Sequence, residues 1–114
     1  MKYILLIQSR PAEEAYATLS EEEQNAVTAE YFALRDEPGM LDGARLQPAE
    51  TATTVRVQDG RVLTTDGPFV ETKEALGGFY MLEADNLDTA IELAARIPAA
   101  RMGGAIEVRP IVES

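Results

Sequence analysis

The chain has 114 residues, 46% of them hydrophobic and 26% charged, and ten basic residues against twenty acidic ones give a net charge of −10. This is the composition and size of one globular domain, expected to occupy 1–114 without division, and it lacks the clustered Lys and Arg that direct nucleic-acid binding or docking on anionic lipid requires. Cysteine and histidine are both absent, which excludes disulfides, zinc fingers, thiolate nucleophiles and imidazole bases.

Residues 2–8, KYILLIQ, read as the first strand. Tyr3, Leu5 and Ile7 alternate with Ile4 and Leu6, so both faces are apolar and the strand should be central, covered on each side. This opening run is too short for a secretory signal and no stretch reaches the roughly 20 apolar residues of a membrane span, so a cytoplasmic location is expected. Arg10-Pro11 ends the strand. Ser20, with Glu23 three residues on, has the spacing of a capping box, and a helix is expected from about Ser20 to Glu37. Val27, Tyr31 and Leu34 form its inward stripe, with Phe32 off that stripe on a second contact surface. Glu21, Glu22 and Glu23 crowd the first turn, where the helix dipole favours carboxylates.

Pro38-Gly39 stops the helix. Met40 to Gln47 reads as a strand with Gly43 at a bulge. Thr51 to Val57 and Arg61 to Thr65 read as a hairpin joined by Asp59-Gly60, a tight-turn dipeptide. Asp66-Gly67-Pro68-Phe69 breaks the pattern, and a short helical turn is expected before Leu76. Gly77-Gly78 opens a strand over Phe79 to Glu83. A second helix is expected from about Asn86 to Arg96, capped by Asp85, with Leu87, Ala90, Ile91 and Ala94 as its buried stripe. Ala105 to Ile111 reads as the last strand.

This order predicts an α+β fold in which a single antiparallel sheet carries both main helices on one face. The other face would be bare, yet the first strand is apolar on both sides. A second copy packed face to face resolves that conflict, so a homodimer is expected.

The stretch Thr65-Asp66-Gly67-Pro68-Phe69-Val70-Glu71-Thr72-Lys73-Glu74, followed by Leu76-Gly77-Gly78-Phe79-Tyr80, resembles the signature of the DGPF, or YCII-related, domain family. The hairpin Thr51 to Arg56, the opening Met1 to Ile7 and the ending Gly104 to Pro110 resemble the same family, so the likeness covers nearly the whole chain in order. It implies a ferredoxin-like fold that dimerises into an α/β barrel. Most members of the family have no assigned activity; the resemblance implies that some relatives are lyase- or dehalogenase-like enzymes using a His–Asp pair and that some are linked, as neighbours or fusions, to extracytoplasmic-function sigma factors. This chain has no histidine, so the His–Asp mechanism does not transfer. What remains is a small-molecule-binding or regulatory domain, with a cofactor-independent lyase or isomerase as the alternative. That alternative would use Asp66 as acid or base in a pocket formed by the dimer, without metal or cofactor.

The expected site follows from the long connection after Asp66, since long ordered loops in compact domains are often binding loops. Asp66 would be its catalytic carboxylate, with Tyr80 as an amphipathic wall and Arg109 as a donor fork for an anion. Gly67, Pro68 and Phe69 would form the rim. The competing reading of Asp66-Gly67-Pro68 is turn chemistry. For Tyr80 it is packing with a satisfied hydroxyl. For Arg109, which has Glu107 on its own face, it is a plain ion pair to Asp66 or Glu71.

Overall fold

The structure, a computed structural model, describes residues 1–69 and 75–113. Strand β1 (Lys2–Gln8) is followed by helices α1 (Arg10–Ala17) and α2 (Glu21–Leu34). Strand β2 (Met40–Arg45) comes next, then β3 (Thr53–Gln58) and β4 (Arg61–Asp66). The chain returns as β5 (Leu76–Glu83), α3 (Leu87–Ala95), the short α4 (Pro98–Arg101) and β6 (Ala105–Pro110). Four strands form an antiparallel sheet in the order β2-β5-β1-β6. With the hairpin set aside, that is the 4-1-3-2 order of a ferredoxin-like βαββαβ fold. β1 is central, as its two-sided apolarity requires.

The four α-helices among the described residues all pack on one face of the sheet. Tyr3, Leu5 and Ile7 of β1 and Tyr80 and Leu82 of β5 join Ala12, Leu34, Ala90, Leu93, Ala94, Ile97 and Ala99 from the helices in one buried core. Ile4 and Leu6, the alternate residues of β1, face the other side, in register with Met81 and Phe79 of β5. No helix among the described residues is long and apolar enough to cross a membrane.

Local chemistry sets the ends of the elements. The Ser20 hydroxyl accepts from the Glu23 amide at 3.2 Å and the Glu23 carboxylate accepts from the Ser20 amide at 3.2 Å, so the capping box forms. Asp59 (φ 51°) and Gly60 (φ 75°) both take the left-handed backbone of a two-residue hairpin turn.

Several sequence expectations need correction. Among the described residues the β3–β4 hairpin pairs only with itself and is not part of the main sheet. It stands away from the body, with Val55 59%, Val57 71% and Val62 69% exposed. The radius of gyration is accordingly 15.9 Å, against about 13 Å for a compact chain of this length. Arg10-Pro11 does not merely end β1; the proline sits in the first turn of α1, where its missing N–H costs nothing. The bulge in β2 falls between Met40 and Asp42, not at Gly43. The α3 cap is Asn86, whose side chain accepts from the Thr89 amide at 3.0 Å, not Asp85. Its buried positions are Ala90, Leu93 and Ala94, while Leu87 and Ile91 are each 48% exposed. The short helical turn expected between Phe69 and Leu76 falls on positions 70–74, outside the described residues.

Candidate functional site

The sheet is unevenly filled beneath its helices. Under α3 and α4 the core is closed by Leu93, Ile97 and Ala99. Under α1 and α2 the β2–β5 half presents Gly43, opposite Tyr80, and Gly78, opposite Ile7 and Arg45. Neither glycine has a side chain to fill the space. The result is a cavity of about 490 Å³ between α1, α2 and the β2–β5 strands, within the usual range for small-molecule sites. Gly43 is also needed for contact, because a Cβ there would lie 2.7 Å from the Tyr80 ring.

The walls are mostly aromatic and apolar: Tyr16 from α1, Val27, Tyr31 and Phe32 from α2, and Tyr80 from β5. Tyr16 and Thr28 share a hydroxyl hydrogen bond of 3.4 Å that ties α1 to α2 beside the cavity. Tyr80 donates its hydroxyl to the Tyr31 carbonyl at 3.2 Å, which fixes one helix on the strand. Burial raises the Tyr31 phenol above its ordinary 10.0; the backbone of Ala99, Arg101 and Arg45 pull it down, and Glu13 adds to the rise. Burial likewise raises Tyr80, with Tyr31 adding to it and Arg35 opposing. Both phenols are therefore neutral donors throughout the physiological range.

Charged groups also line the cavity. Glu13 accepts a hydrogen bond of 3.3 Å from the hydroxyl of buried Ser9. Arg35 and Arg45 also line the space, and the Arg35 guanidinium lies over the Phe32 ring at 4.8 Å. Chemically this is an apolar, aromatic recess with neutral phenol donors, one carboxylate and two guanidinium groups. Among the described residues no three acidic side chains converge as metal ligands would.

Asp66, Tyr80 and Arg109 are not brought together within one chain. Tyr80 pairs with Leu5, which pairs with Val108, and all three belong to the covered face. Arg109 pairs with Ile4 and so points to the open face, where its nearest carboxylate is Glu107 at 3.9 Å. Asp66 ends β4 at the base of the hairpin and is exposed. The next three residues close that base. The Gly67 amide donates to Ala52 at 2.7 Å, its carbonyl accepts from Thr54 at 2.8 Å, and Phe69 lies under the Arg56 guanidinium at 4.7 Å. Of the expected site residues only Tyr80 lines the cavity. The sequence reading missed Tyr31, Arg35, Arg45 and Glu13. One signal for them was present: Phe32, off the inward stripe of α2, faces this space.

Comparison with known proteins agrees with the fold. A curated relative, an uncharacterized protein of Rhizobium meliloti (strain 1021), is 44% identical over 69 residues, which is 60% of this chain and 56% of the relative. The matched stretch thus spans little more than half of that protein's length. Among solved structures, 5-chloro-2-hydroxyhydroquinone dehydrochlorinase (TftG) from Burkholderia phenoliruptrix AC1100, in complex with 2,5-dihydroxybenzoquinone, is similar with a TM-score of 0.53. That likeness covers 100% of this chain and 96% of the other at 16% identity, and is one of fold. The family model of the YCII-related domain matches residues 1–114, from the β1 opening through the Asp-Gly-Pro-Phe stretch to the last strand, and the chain belongs to the YCII-related family.

Proposed function

We propose that this protein binds a small molecule in the cavity between α1, α2 and the β2–β5 strands. The observation that carries the reading is the cavity itself: about 490 Å³ walled by Tyr16, Tyr31, Phe32 and Tyr80 over a glycine floor. A core of 114 residues that wanted only stability would close such a space, because each unfilled volume forfeits packing contacts. The fold neighbour is solved with a small ring, 2,5-dihydroxybenzoquinone, which suits a ligand of that size here. If the cavity is also catalytic, the Glu13 carboxylate is its proton-accepting group and the neutral Tyr31 phenol a hydrogen-bond donor, in place of a histidine that the chain does not have.

The open face supports a second part of the proposal. Ile4, Leu6, Phe79 and Met81 form an apolar strip across β1 and β5, and the hairpin adds Val55, Val57 and Val62 on one side of its ribbon. An isolated two-stranded hairpin is marginally stable in water, and apolar patches of this kind are usually covered. We assign the cover to a second copy of the chain. A dimeric mass by light scattering at micromolar concentration is expected; a monomeric mass overturns the assignment.

A thermal-shift screen of small aromatic, carboxylate and phosphate metabolites tests the cavity. A ligand at a hundredfold excess over its Kd adds about 2.7 kcal/mol to folding stability and raises the midpoint. Thr28→Trp, which fills the cavity from α2, should remove the response, and Asp66→Asn should leave it intact. A response lost in Asp66→Asn and kept in Thr28→Trp would move the site to the base of the hairpin.

A further inference from the structure

We infer that the ligand of this cavity is a planar monoanion, a six-membered ring bearing one carboxylate, whose charge is met by the guanidinium groups that line the space, Arg35 and Arg45. The inference rests on the cavity being the ligand site and adds the chemistry of what enters it. A chain of net charge −10 repels anions on average, so a site that recruits one must concentrate cations locally. Arg56 and Arg61, on the β3–β4 hairpin away from the cavity, lack a carboxylate partner among the described residues; outside the hairpin the arginines divide along that line. Arg10, Arg96, Arg101 and Arg109 are engaged by Glu50, Glu37, Glu30 and Glu107. Arg35 and Arg45 line the cavity and have no carboxylate within salt-bridge distance among the described residues.

Among the described residues one carboxylate lines the cavity, that of Glu13, which is engaged by Ser9 at 3.3 Å. Two guanidinium groups against one carboxylate leave an excess of one positive charge, which a single anionic group balances. The stack of Arg35 on Phe32 restrains the guanidinium plane, and a restrained fork loses less entropy on meeting a carboxylate. The other walls are rings and aliphatic groups with a few neutral hydroxyls and, among the described residues, no further cation, so the remainder of the ligand is largely apolar. Charge-assisted hydrogen bonds of this kind are about twice as strong as neutral ones.

The test compares benzoate with benzamide, which has the same shape and no charge, by calorimetric titration of the full chain. Benzoate should bind at least about tenfold more tightly, a difference of about 1.4 kcal/mol. Arg45→Gln should lower benzoate to the benzamide level while leaving benzamide unchanged. Arg35→Gln should do the same in part. Both arginines are exposed, and an unchanged unfolding midpoint without ligand verifies that each variant is folded. Equal binding of the two compounds, or a benzoate preference that survives in the Arg35→Gln, Arg45→Gln double variant, overturns the inference and leaves the cavity as a site for neutral rings. Absence of benzoate binding at millimolar concentration also overturns it. The cavity reading then stands or falls separately on neutral compounds in the thermal-shift screen.

Discussion

The two faces of the main sheet carry similar apolar residues and meet different fates. On the covered face Tyr3, Leu5 and Ile7 are 2%, 0% and 7% exposed beneath four helices. On the other face Ile4, Leu6, Phe79 and Met81 are only part-buried, and no described element of the chain lies over them. Strand sequence alone does not decide which side becomes a core; the helices do. The covered face is itself divided. Its β1–β6 half is packed by α3 and α4, and its β2–β5 half, where glycines replace side chains, holds the cavity. The packed core, the cavity proposed as the ligand site and the open face proposed for assembly are thus three neighbouring surfaces of one sheet.

The comparison breaks most visibly by truncation. Leu5→Ala on the covered face should cost about 2–5 kcal/mol of folding stability, the range for a fully buried leucine, read by urea unfolding. Leu6→Glu on the open face should leave the monomer folded and abolish the dimer, read by light scattering. If Leu6→Glu unfolds the chain as severely as Leu5→Ala, the two faces are not distinct in the way described. A smaller effect sharpens the assignment of the cavity walls. The raised phenols of Tyr31 and Tyr80 hold more protons in the folded state than in the unfolded one above pH 10. Their contribution is fully present below pH 10 and is lost as pH rises through the folded values. Tyr31→Phe should flatten the alkaline loss of stability, and an unchanged alkaline profile would mean that the phenol is not held in the cavity wall. The smallest expected effect lies outside the comparison and serves as its control. Ser20→Ala removes the α2 cap for about 1 kcal/mol without altering dimer mass or the alkaline profile.

What the sequence disclosed follows the range of the interactions. The capping box at Ser20, the Asp59-Gly60 turn and the two-sided apolarity of β1 are local chemistry, and each is found where the sequence places it. The antiparallel sheet with its helices on one face follows from the order of the elements, and the ferredoxin-like arrangement is what the family resemblance implies. The separation of the hairpin does not, because alternation in β3 and β4 reports that they are strands and not what they pair with. α1 was hidden by a proline that punctuates a strand end and a helix start equally well. The site was the least legible part. Tyr80 and Arg109 lie on opposite faces by a one-residue difference in parity that appears only once β1 is registered against β5 and β6. The cavity is produced by side chains that Gly43 and Gly78 lack, joined to aromatic groups from α1 and α2 that are distant in sequence.

The most direct measurement of the central claim is a chemical-shift map of the isotope-labelled protein titrated with benzoate and with a neutral ring from the screen. The account predicts that the largest amide shifts fall on Tyr31, Gly43, Arg45 and Gly78, around the cavity on the covered face. Shifts concentrated instead on Ile4, Leu6, Met81 and Arg109 would place the ligand on the open face and contradict it.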